Sequence, residues 1–245
     1  MMSLQTDNYN VFAEIATPLF LKYMNEDVLD ETGKKYFKIL QDWKYRDDIN
    51  EKGCTIFTTA WDYFEKEVWT DEMAKTKFPL SRPVASTLLE AVLKDTNFVF
   101  LDDITTPEKE TLRDDITNSF KKAVAALKIA EADGRLDWGK YKDTRVTHIA
   151  RLGPFSRMHL PIGGGSHCIN ATKEDHGPSW RMIVSLTETT EAYGVYPGGQ
   201  SGNPGSPYYD AFIDNWVEGK YFPLWVMNKT DVNNKKIKYK MLFGK

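Results

Sequence analysis

The stretch that decides the fold covers residues 198–210 and reads Gly198-Gly199-Gln200-Ser201-Gly202-Asn203-Pro204-Gly205-Ser206-Pro207-Tyr208-Tyr209-Asp210. Glycine supplies positive φ angles and close backbone approach, and proline fixes φ near −65°, so this composition predicts a rigid, turning loop. The segment before it places Trp180, Met182, Val184 and Leu186 at every second position, which is typical of a β-strand. The sequence therefore predicts a tight connection from a strand to a short helix over 208–217.

Composition and charge narrow the class of protein. The 245 residues include 41% hydrophobic residues, 32 basic residues and 35 acidic residues, for a formal charge of −3. Such a chain can bury a substantial core. Because the charges are interspersed, we expect neither a nucleic-acid partner nor a membrane partner. No apolar run approaches the roughly 18 residues that a transmembrane helix needs.

The first 131 residues are predicted to be mainly helical. Helical spacing relates Ile56, Ala60, Trp61, Phe64 and Val68, and similar stripes mark 83–93 and 112–127. Thr106 and Pro107 suit the N-cap and first position of the last of these helices, and Asp133-Gly134 would end it. We interpret these stripes as core.

Strands are predicted to dominate after Gly134. Besides 180–187, the segments 222–227 and 236–243 have strand character, with a turn over 231–234 between them. Lysines would occupy the solvent-exposed face of the last strand. Arg181 alternates onto the face opposite Trp180, and we expect it to make a buried ion pair.

Two motifs resemble catalytic or ligand-binding elements. Residues 199–203 approach the nucleophile-elbow pattern Gly-x-Ser-x-Gly, but the second glycine falls one place early. A self-contained serine hydrolase would need Ser201 or Ser166 together with a histidine. The run Gly163-Gly164-Gly165 lacks the phosphate-loop pattern, so a structural loop is the favoured interpretation.

Metal and disulfide chemistry have weak support in the sequence. His167, Cys168 and His176 could be imagined as metal ligands, but two of them are adjacent and no fourth ligand is evident. The two cysteines, Cys54 and Cys168, are far apart and form no Cys-x-x-Cys motif. We therefore assign no metal, no cofactor and no disulfide.

Many separate elements, in the right order, resemble the C-terminal part of the β-subunit in the penicillin acylase (penicillin amidase) family. They are Trp138-Gly139-Lys140, His148, Leu160-Pro161-Ile162-Gly163-Gly164-Gly165, Ile169-Asn170-Ala171, Gly177-Pro178-Ser179-Trp180-Arg181-Met182-Ile183-Val184, Gly199-Gln200-Ser201-Gly202, Ser206-Pro207, Tyr209-Asp210, Trp216, Gly219, Tyr221 and Pro223-Leu224. The resemblance is specific from about Trp138 to Trp225 and weak over 1–131. Tyr208 departs from the pattern, because family members often carry histidine there.

The resemblance implies an N-terminal-nucleophile hydrolase. In this family a precursor is cut to expose a serine whose own α-amino group acts as base, and an acyl-enzyme forms and is hydrolysed. Backbone N–H groups and an asparagine amide stabilise the oxyanion. All of these groups precede the segment that matches here, so no catalytic residue is transferred, and Asn170 matches a different element of the family.

The expected architecture is an α+β chain forming the C-terminal portion of an αββα layered fold. Residues 1–245 would be a single region, with a helical lobe over 1–133 and a strand-rich core segment of mainly antiparallel strands over 134–245. The reactive serine would be missing, so the chain alone would be inactive. Its partners would be the α-subunit and the N-terminal part of the β-subunit, and the full protein would be periplasmic or secreted.

Substrates of the whole enzyme would be small N-acyl amides, such as β-lactam side-chain amides or acyl homoserine lactones. Two alternatives stay open. One is a non-catalytic binding module that kept the fold, and the other is the stand-alone serine hydrolase based on Ser201 or Ser166.

Overall fold

The structure is a computed structural model that describes residues 1–74, 76–227 and 229–244. Apolar residues at helical spacing in the first half form helices, as predicted. Short 3-10 segments connect some of them. The helices are α1 Val11–Tyr23, α2 Glu31–Asp42, α3 Gly53–Ala74, α4 Ala85–Lys94, α5 Leu112–Ala132, α6 Trp138–Lys142 and α7 Ile213–Val217.

Helices α3 and α5 form the centre of the core because each buries the stripe that its sequence predicts. Ile56, Ala60 and Phe64 are fully buried on α3, and Ile116 and Phe120 are fully buried on α5. The two helices pack against each other, and α2 packs on α3 beside them. The core formed in this way extends from Phe12 to Trp138 in the sequence.

The start of α5 differs from the prediction. Thr111, not Thr106, is the N-cap: its side chain accepts a hydrogen bond from the backbone N–H of Asp114, and Asp114 reciprocates to the Thr111 backbone in a capping box. The hydroxyl of Thr106 instead bonds within a turn, to Glu110 Oε1 at 2.8 Å. The reciprocal pair stabilises a start at Leu112 better than a single cap upstream. The predicted end is confirmed, since Asp133 is the C-cap and Gly134 has φ +66°.

Two small antiparallel sheets follow Gly134. The first pairs β1 Thr144–Val146 with β2 Arg157–Leu160, with an irregular register. The second has the order β3–β4–β5, formed by Arg181–Ser185, Glu191–Val195 and Phe222–Leu224. Its register places Ile183 opposite Tyr193 and Tyr193 opposite Pro223. The strand predicted over 180–187 is confirmed as β3, but β4, which was not predicted, lies between it and the glycine-rich loop. The strand predicted over 222–227 is shorter, and the helix predicted over 208–217 begins only at Ile213.

The prediction of a strand over 236–243 is wrong. No strand follows Leu224 in the described part of the chain, and the predicted turn over 231–234 overlaps a 3-10 segment, Lys229–Asn233. The side chains of Tyr239, Leu242 and Phe243 are about nine-tenths exposed. Alternation gives a segment strand character, but a strand forms only where a partner supplies ladder hydrogen bonds.

The chain has the α+β class predicted for it, and it divides into two compact units. One unit comprises Ser3–Gly177 and contains α1–α6 with the first sheet. The other comprises Pro178–Lys245 together with Met1–Met2 and contains the second sheet and α7. Within the described ranges, no helix combines the length and the apolar character required to cross a membrane.

Candidate functional site

The unit 3–177 contains a buried polar cluster centred on Asp47, whose side chain is only 1% exposed. The amide of Asn10, which also caps α1, donates to both carboxylate oxygens at 3.3 and 3.1 Å. The thiol of Cys168 donates to Oδ2 at 3.1 Å, and Cys54 is a further hydrogen-bond partner. The carboxylate is therefore held by Asn10 and Cys168, which lie far apart in the sequence.

The glycine run 163–165 binds Lys142, which is almost fully buried at the end of α6. The ammonium donates to the carbonyl oxygens of Gly163, Gly164 and Thr172 at 2.8, 3.1 and 3.3 Å. Three acceptors use all three N–H groups of an ammonium. The run is thus a structural loop, as favoured from the sequence, and its carbonyls receive a cation.

Close approach explains the glycines of this run. A Cβ on Gly164 would lie 2.0 Å from the carbonyl oxygen of Asn170, and the residue has φ +86°. A Cβ on Gly165 would lie 2.5 Å from Asp47 Oδ2. Side chains at either position would displace the polar cluster.

Burial shifts the protonation equilibria of the cluster. It raises the pKa of Asp47, while hydrogen bonds from Cys54, Cys168 and Asn10 and the charge of Lys142 oppose that shift. Burial also lowers the pKa of Lys142 to about 8, against the opposing effect of Cys54, Asp47 and Cys168. The pKa of Cys168 is raised by burial and by Asp47, so its thiol is a poor nucleophile at neutral pH.

A cavity of about 370 Å³ opens beside this cluster, a volume within the range of small-molecule sites. Five aromatic side chains form much of its wall, and polar side chains form the rest. The lining residues are Asn10, Phe12, Asp47, Phe57, Thr58, Trp61, Trp138, Tyr141, Lys142, Gly165, Ser166, His167, Thr172, Lys173 and Glu174.

Ser166 and His167 both line the cavity but do not form a nucleophile–base pair. The His167 ring stacks on Phe12, with centroids 4.4 Å apart. Among the residues that the structure describes, neither the Ser166 hydroxyl nor the His167 ring makes a hydrogen bond. A serine nucleophile needs a hydrogen-bonded base that a third group orients, and this geometry does not provide one.

Ser201 lies in the unit 178–245, whereas all four histidines lie in the unit 3–177. Its hydroxyl accepts a hydrogen bond from the backbone N–H of Asn203 at 3.1 Å, within the loop. His159 pairs with Asp143 and His176 pairs with Asp175, both on the surface. Over the described ranges, no group of three or more histidine, cysteine, aspartate or glutamate side chains is placed to hold a metal ion.

Backbone contacts stabilise the glycine-rich loop 198–210. The carbonyl of Gly198 accepts from the N–H of Phe212 at 2.9 Å, and the N–H of Ser201 donates to the carbonyl of Tyr208 at 3.1 Å. A Cβ on Gly199 would lie 2.1 Å from that same Tyr208 oxygen, so close approach is confirmed there. The prediction that the glycines of this loop have positive φ angles is wrong, because the described glycines with positive φ all lie elsewhere. They are Gly134, Gly164 and Gly219.

Arg181 is buried in the same unit as this loop. Its guanidinium donates to the carbonyl of Trp216 at 2.7 Å and lies 5.1 Å from the centre of that ring. Burial lowers the pKa of Arg181, and Tyr221 opposes the shift. Its predicted burial is confirmed, and the ion pair stays a prediction.

The sequence interpretation missed the cluster around Asp47 because no local spacing connects its members. Asn170 is buried, but its amide donates to the side chain of Asn8 at 2.9 Å and so joins loops of the cluster. The local sequence offers no signal for the cluster, because Asp47 lies between Arg46 and Asp48 and Lys142 precedes Asp143, as in an ordinary charged surface segment.

Comparison with protein families gives a match across nearly the whole chain. A sequence model of the penicillin amidase family matches residues 1–232. This match includes the helical region 1–131, where the resemblance from motifs is weak.

Curated relatives include acyl-homoserine lactone acylases named QuiP. The protein from Pseudomonas syringae pv. tomato is 32% identical over 150 residues, an alignment that covers 51% of this chain and 17% of the relative. The protein from Pseudomonas aeruginosa is 27% identical over 158 residues, covering 53% and 19%. The chain therefore matches about a sixth of the length of these relatives.

A solved structure shares the fold. The thermostable penicillin G acylase from Alcaligenes faecalis superposes with a TM-score of 0.57 at 14% identity, over 98% of this chain and 47% of that one. At this identity the similarity concerns the fold alone.

Proposed function

Because the chain belongs to the penicillin amidase family, we propose that it forms the C-terminal part of an amidohydrolase that cleaves N-acyl amides. The observation that carries the proposal is the family match over residues 1–232 combined with coverage of only 17% of a curated relative. On this proposal the rest of the enzyme contributes the reactive serine.

The proposed reaction follows the resemblance to the family. A serine with a free α-amino group attacks the amide carbonyl, the amine leaves, and water hydrolyses the acyl-enzyme. The absence of a nucleophile–base pair around Ser166 and Ser201 in the described residues supports a nucleophile outside this chain. The described residues would then support the catalytic region without contacting the reacting atoms.

The names of the curated relatives support the substrate class. They are acyl-homoserine lactone acylases. We propose N-acyl amides of this kind as substrates, with the acyl group transferred to water.

An exposed apolar face on β3 supports a missing partner. Met182 and Val184 alternate along β3 and are 46% and 39% exposed, and Trp180 and Leu186, which flank the strand, are 48% and 88% exposed. Contiguous exposed apolar side chains on a soluble protein are typical of an interaction surface. We propose that the N-terminal part of the β-subunit or the α-subunit covers this face.

The experiment isolates the protein as it occurs in its source cells, with an antibody raised against this chain. The captured protein is assayed with an acyl homoserine lactone and a chromogenic phenylacetyl amide, and is then labelled with a serine-reactive sulfonyl fluoride. We expect hydrolysis and one labelled serine outside the 245 residues, with no turnover or label on the purified 245-residue chain.

The outcomes separate the alternatives. A label on Ser166 or Ser201, with activity lost in Ser166→Ala or Ser201→Ala, would support the stand-alone serine hydrolase. Captured protein that neither turns over substrate nor takes the label would support the binding module. Either result would overturn the proposal.

A further inference from the structure

The cavity in the unit 3–177 has an apolar wall suited to a flat or slender hydrophobic group. Phe12, Phe57, Trp61, Trp138 and Tyr141 contribute to it. Phe12 packs edge-on against Trp61 with centroids 4.8 Å apart, so the wall is fixed before any ligand arrives. The Nε1–H groups of Trp61 and Trp138 are already used, by a glutamate side chain and by a backbone carbonyl of the glycine run. This wall therefore offers contact area and few hydrogen bonds.

The charged groups lining the cavity are mostly neutralised by neighbours. Asp47 accepts from Asn10 and from the Cys168 thiol, and Lys142 donates to three carbonyls. Glu174 pairs with an arginine, Arg145, at 2.7 Å. None of these groups has its full bonding capacity available to a ligand.

One cation and two further polar groups remain. Lys173 makes no side-chain hydrogen bond or ion pair with any residue that the structure describes, and Ser166 and His167 likewise make no side-chain hydrogen bond there. All three can donate a hydrogen bond. Contact with Phe12 leaves the His167 ring partly desolvated, which lowers its pKa, with Asp47 opposing and Lys173 adding to the shift. A neutral imidazole still provides one N–H.

The cavity is lined by two acidic side chains, Asp47 and Glu174, and two lysines, Lys142 and Lys173, so the formal charges balance. Asp47 interacts with Lys142, and Glu174 pairs with Arg145, which lies outside the lining. Lys173 therefore makes no ion pair with any residue that the structure describes. A carboxylate, with two acceptor oxygens and one negative charge, matches a cavity lined by a cation, a hydroxyl and an imidazole.

We propose that this cavity is a binding site for an apolar carboxylate, an aryl or alkyl acid. Its hydrocarbon part lies against the aromatic wall, and its carboxylate is held by Lys173, Ser166 and His167. Binding is non-covalent and requires no turnover. The proposal is thus independent of the proposed amidase reaction, and either can fail alone.

The test titrates the purified 245-residue chain with 3-phenylpropanoate and with octanoate, and follows tryptophan fluorescence, because Trp61 and Trp138 line the cavity. Calorimetry gives Kd without an optical signal. We expect saturable binding of both acids and none of acetate at the same concentrations, since acetate lacks the hydrocarbon part.

Two comparisons isolate the carboxylate site. The neutral isostere 3-phenylpropanamide should bind about fivefold more weakly than the acid. Lys173→Gln should weaken binding of the acid about fivefold and leave binding of the amide unchanged, as expected for one partly exposed ion pair. Ser166→Ala and His167→Ala should each weaken binding of the acid as well. These side chains are exposed, so folding should survive their replacement.

Lys44→Gln is the matched control, because Lys44 is exposed and does not line the cavity. Its Kd for 3-phenylpropanoate should equal that of the unmodified chain. The proposal is overturned if neither acid binds, if acid and amide bind equally, or if Lys173→Gln binds the acid as well as Lys44→Gln does.

Discussion

At the scale of single residues, Asp115 is a carboxylate whose ionisation in the folded state costs free energy of folding. It lies in the first turn of α5, is 4% exposed, and its Oδ2 has no hydrogen-bond partner among the described residues. Burial raises its pKa to about 8, and the charges of Glu67, Glu110, Asp114 and Asp103 add to the shift. The folded protein therefore favours the neutral acid.

This shift makes stability depend on pH in a definite direction. The folded pKa of Asp115 is about 8 and lies above the unfolded value of about 3.9, so its stabilising contribution is complete below about pH 4 and is lost as pH rises through about 8. We expect Asp115→Asn to remove a slope of up to about 1.4 kcal/mol per pH unit over that interval. The measurement is the free energy of unfolding by urea at about pH 5, 7 and 9 for both proteins.

The exposed Asp27 provides the control, because Asp27→Asn removes one carboxylate at a solvent-exposed position. The slope is the informative quantity, since the buried amide that Asp115→Asn introduces changes the absolute stability by its own desolvation. Parallel profiles for Asp115→Asn and the unmodified chain would show that Asp115 is ionised in the folded state at neutral pH.

At the scale of elements, the loop 198–210 connects β4 to α7 through close backbone contact. A Cβ on Gly199 would lie 2.1 Å from the Tyr208 carbonyl oxygen and 2.4 Å from that of Tyr209. These are backbone atoms that cannot move without breaking the hydrogen bond between Ser201 and Tyr208. The glycine is therefore required for packing rather than for an unusual φ.

We expect Gly199→Ala to destabilise the protein by about 2 kcal/mol or more, the usual cost of overpacking at a fixed backbone contact. Gly202 is the matched control in the same loop, because a Cβ there meets nothing within 4 Å. Gly202→Ala should change stability by less than about 0.5 kcal/mol, as at open surface positions. Urea unfolding of both variants checks this, and equal costs would contradict the role assigned to Gly199.

Helices and strands could be predicted from the sequence where the pattern of buried residues and the local capping or turn residues indicate the same structure. The stripe on α3 and the strand β3 follow from periodicity, because a buried face selects one period. The start of α5 was misplaced because Thr106-Pro107 and Thr111 both carry N-cap chemistry, and only the reciprocal bond of Asp114 distinguishes them. The tail 236–243 has the alternation of a strand without a partner in the described residues, which its sequence cannot reveal.

At the scale of the whole molecule, the candidate site was not predictable from the sequence. The cavity combines Phe12 from α1, Asp47 from a loop, Trp61 from α3 and Lys142 from α6. Only tertiary packing brings these residues together. The family resemblance identified the family and the fold, but its motifs lie mostly after Trp138 and so predict little about a cavity whose aromatic wall comes largely from the helices.

The distribution of buried residues between the two units leads to the last prediction. The large hydrophobic cluster, from Phe12 to Trp138, lies entirely within Ser3–Gly177. The buried hydrophobic residues of the other unit are Ala192, Val195, Ile213 and Trp216. A core that small rarely stabilises a chain of fewer than about 70 residues. We therefore expect the unit 3–177, but not the unit 178–245, to fold on its own.

We expect residues 3–177, expressed alone, to unfold in one cooperative transition and to retain the tryptophan environment of the cavity. Residues 178–245 alone should lack a cooperative transition. Calorimetry and near-ultraviolet circular dichroism of the two fragments measure this directly. A non-cooperative 3–177 fragment would show that its core depends on residues after Gly177, and a cooperative 178–245 fragment would show that its few buried side chains suffice.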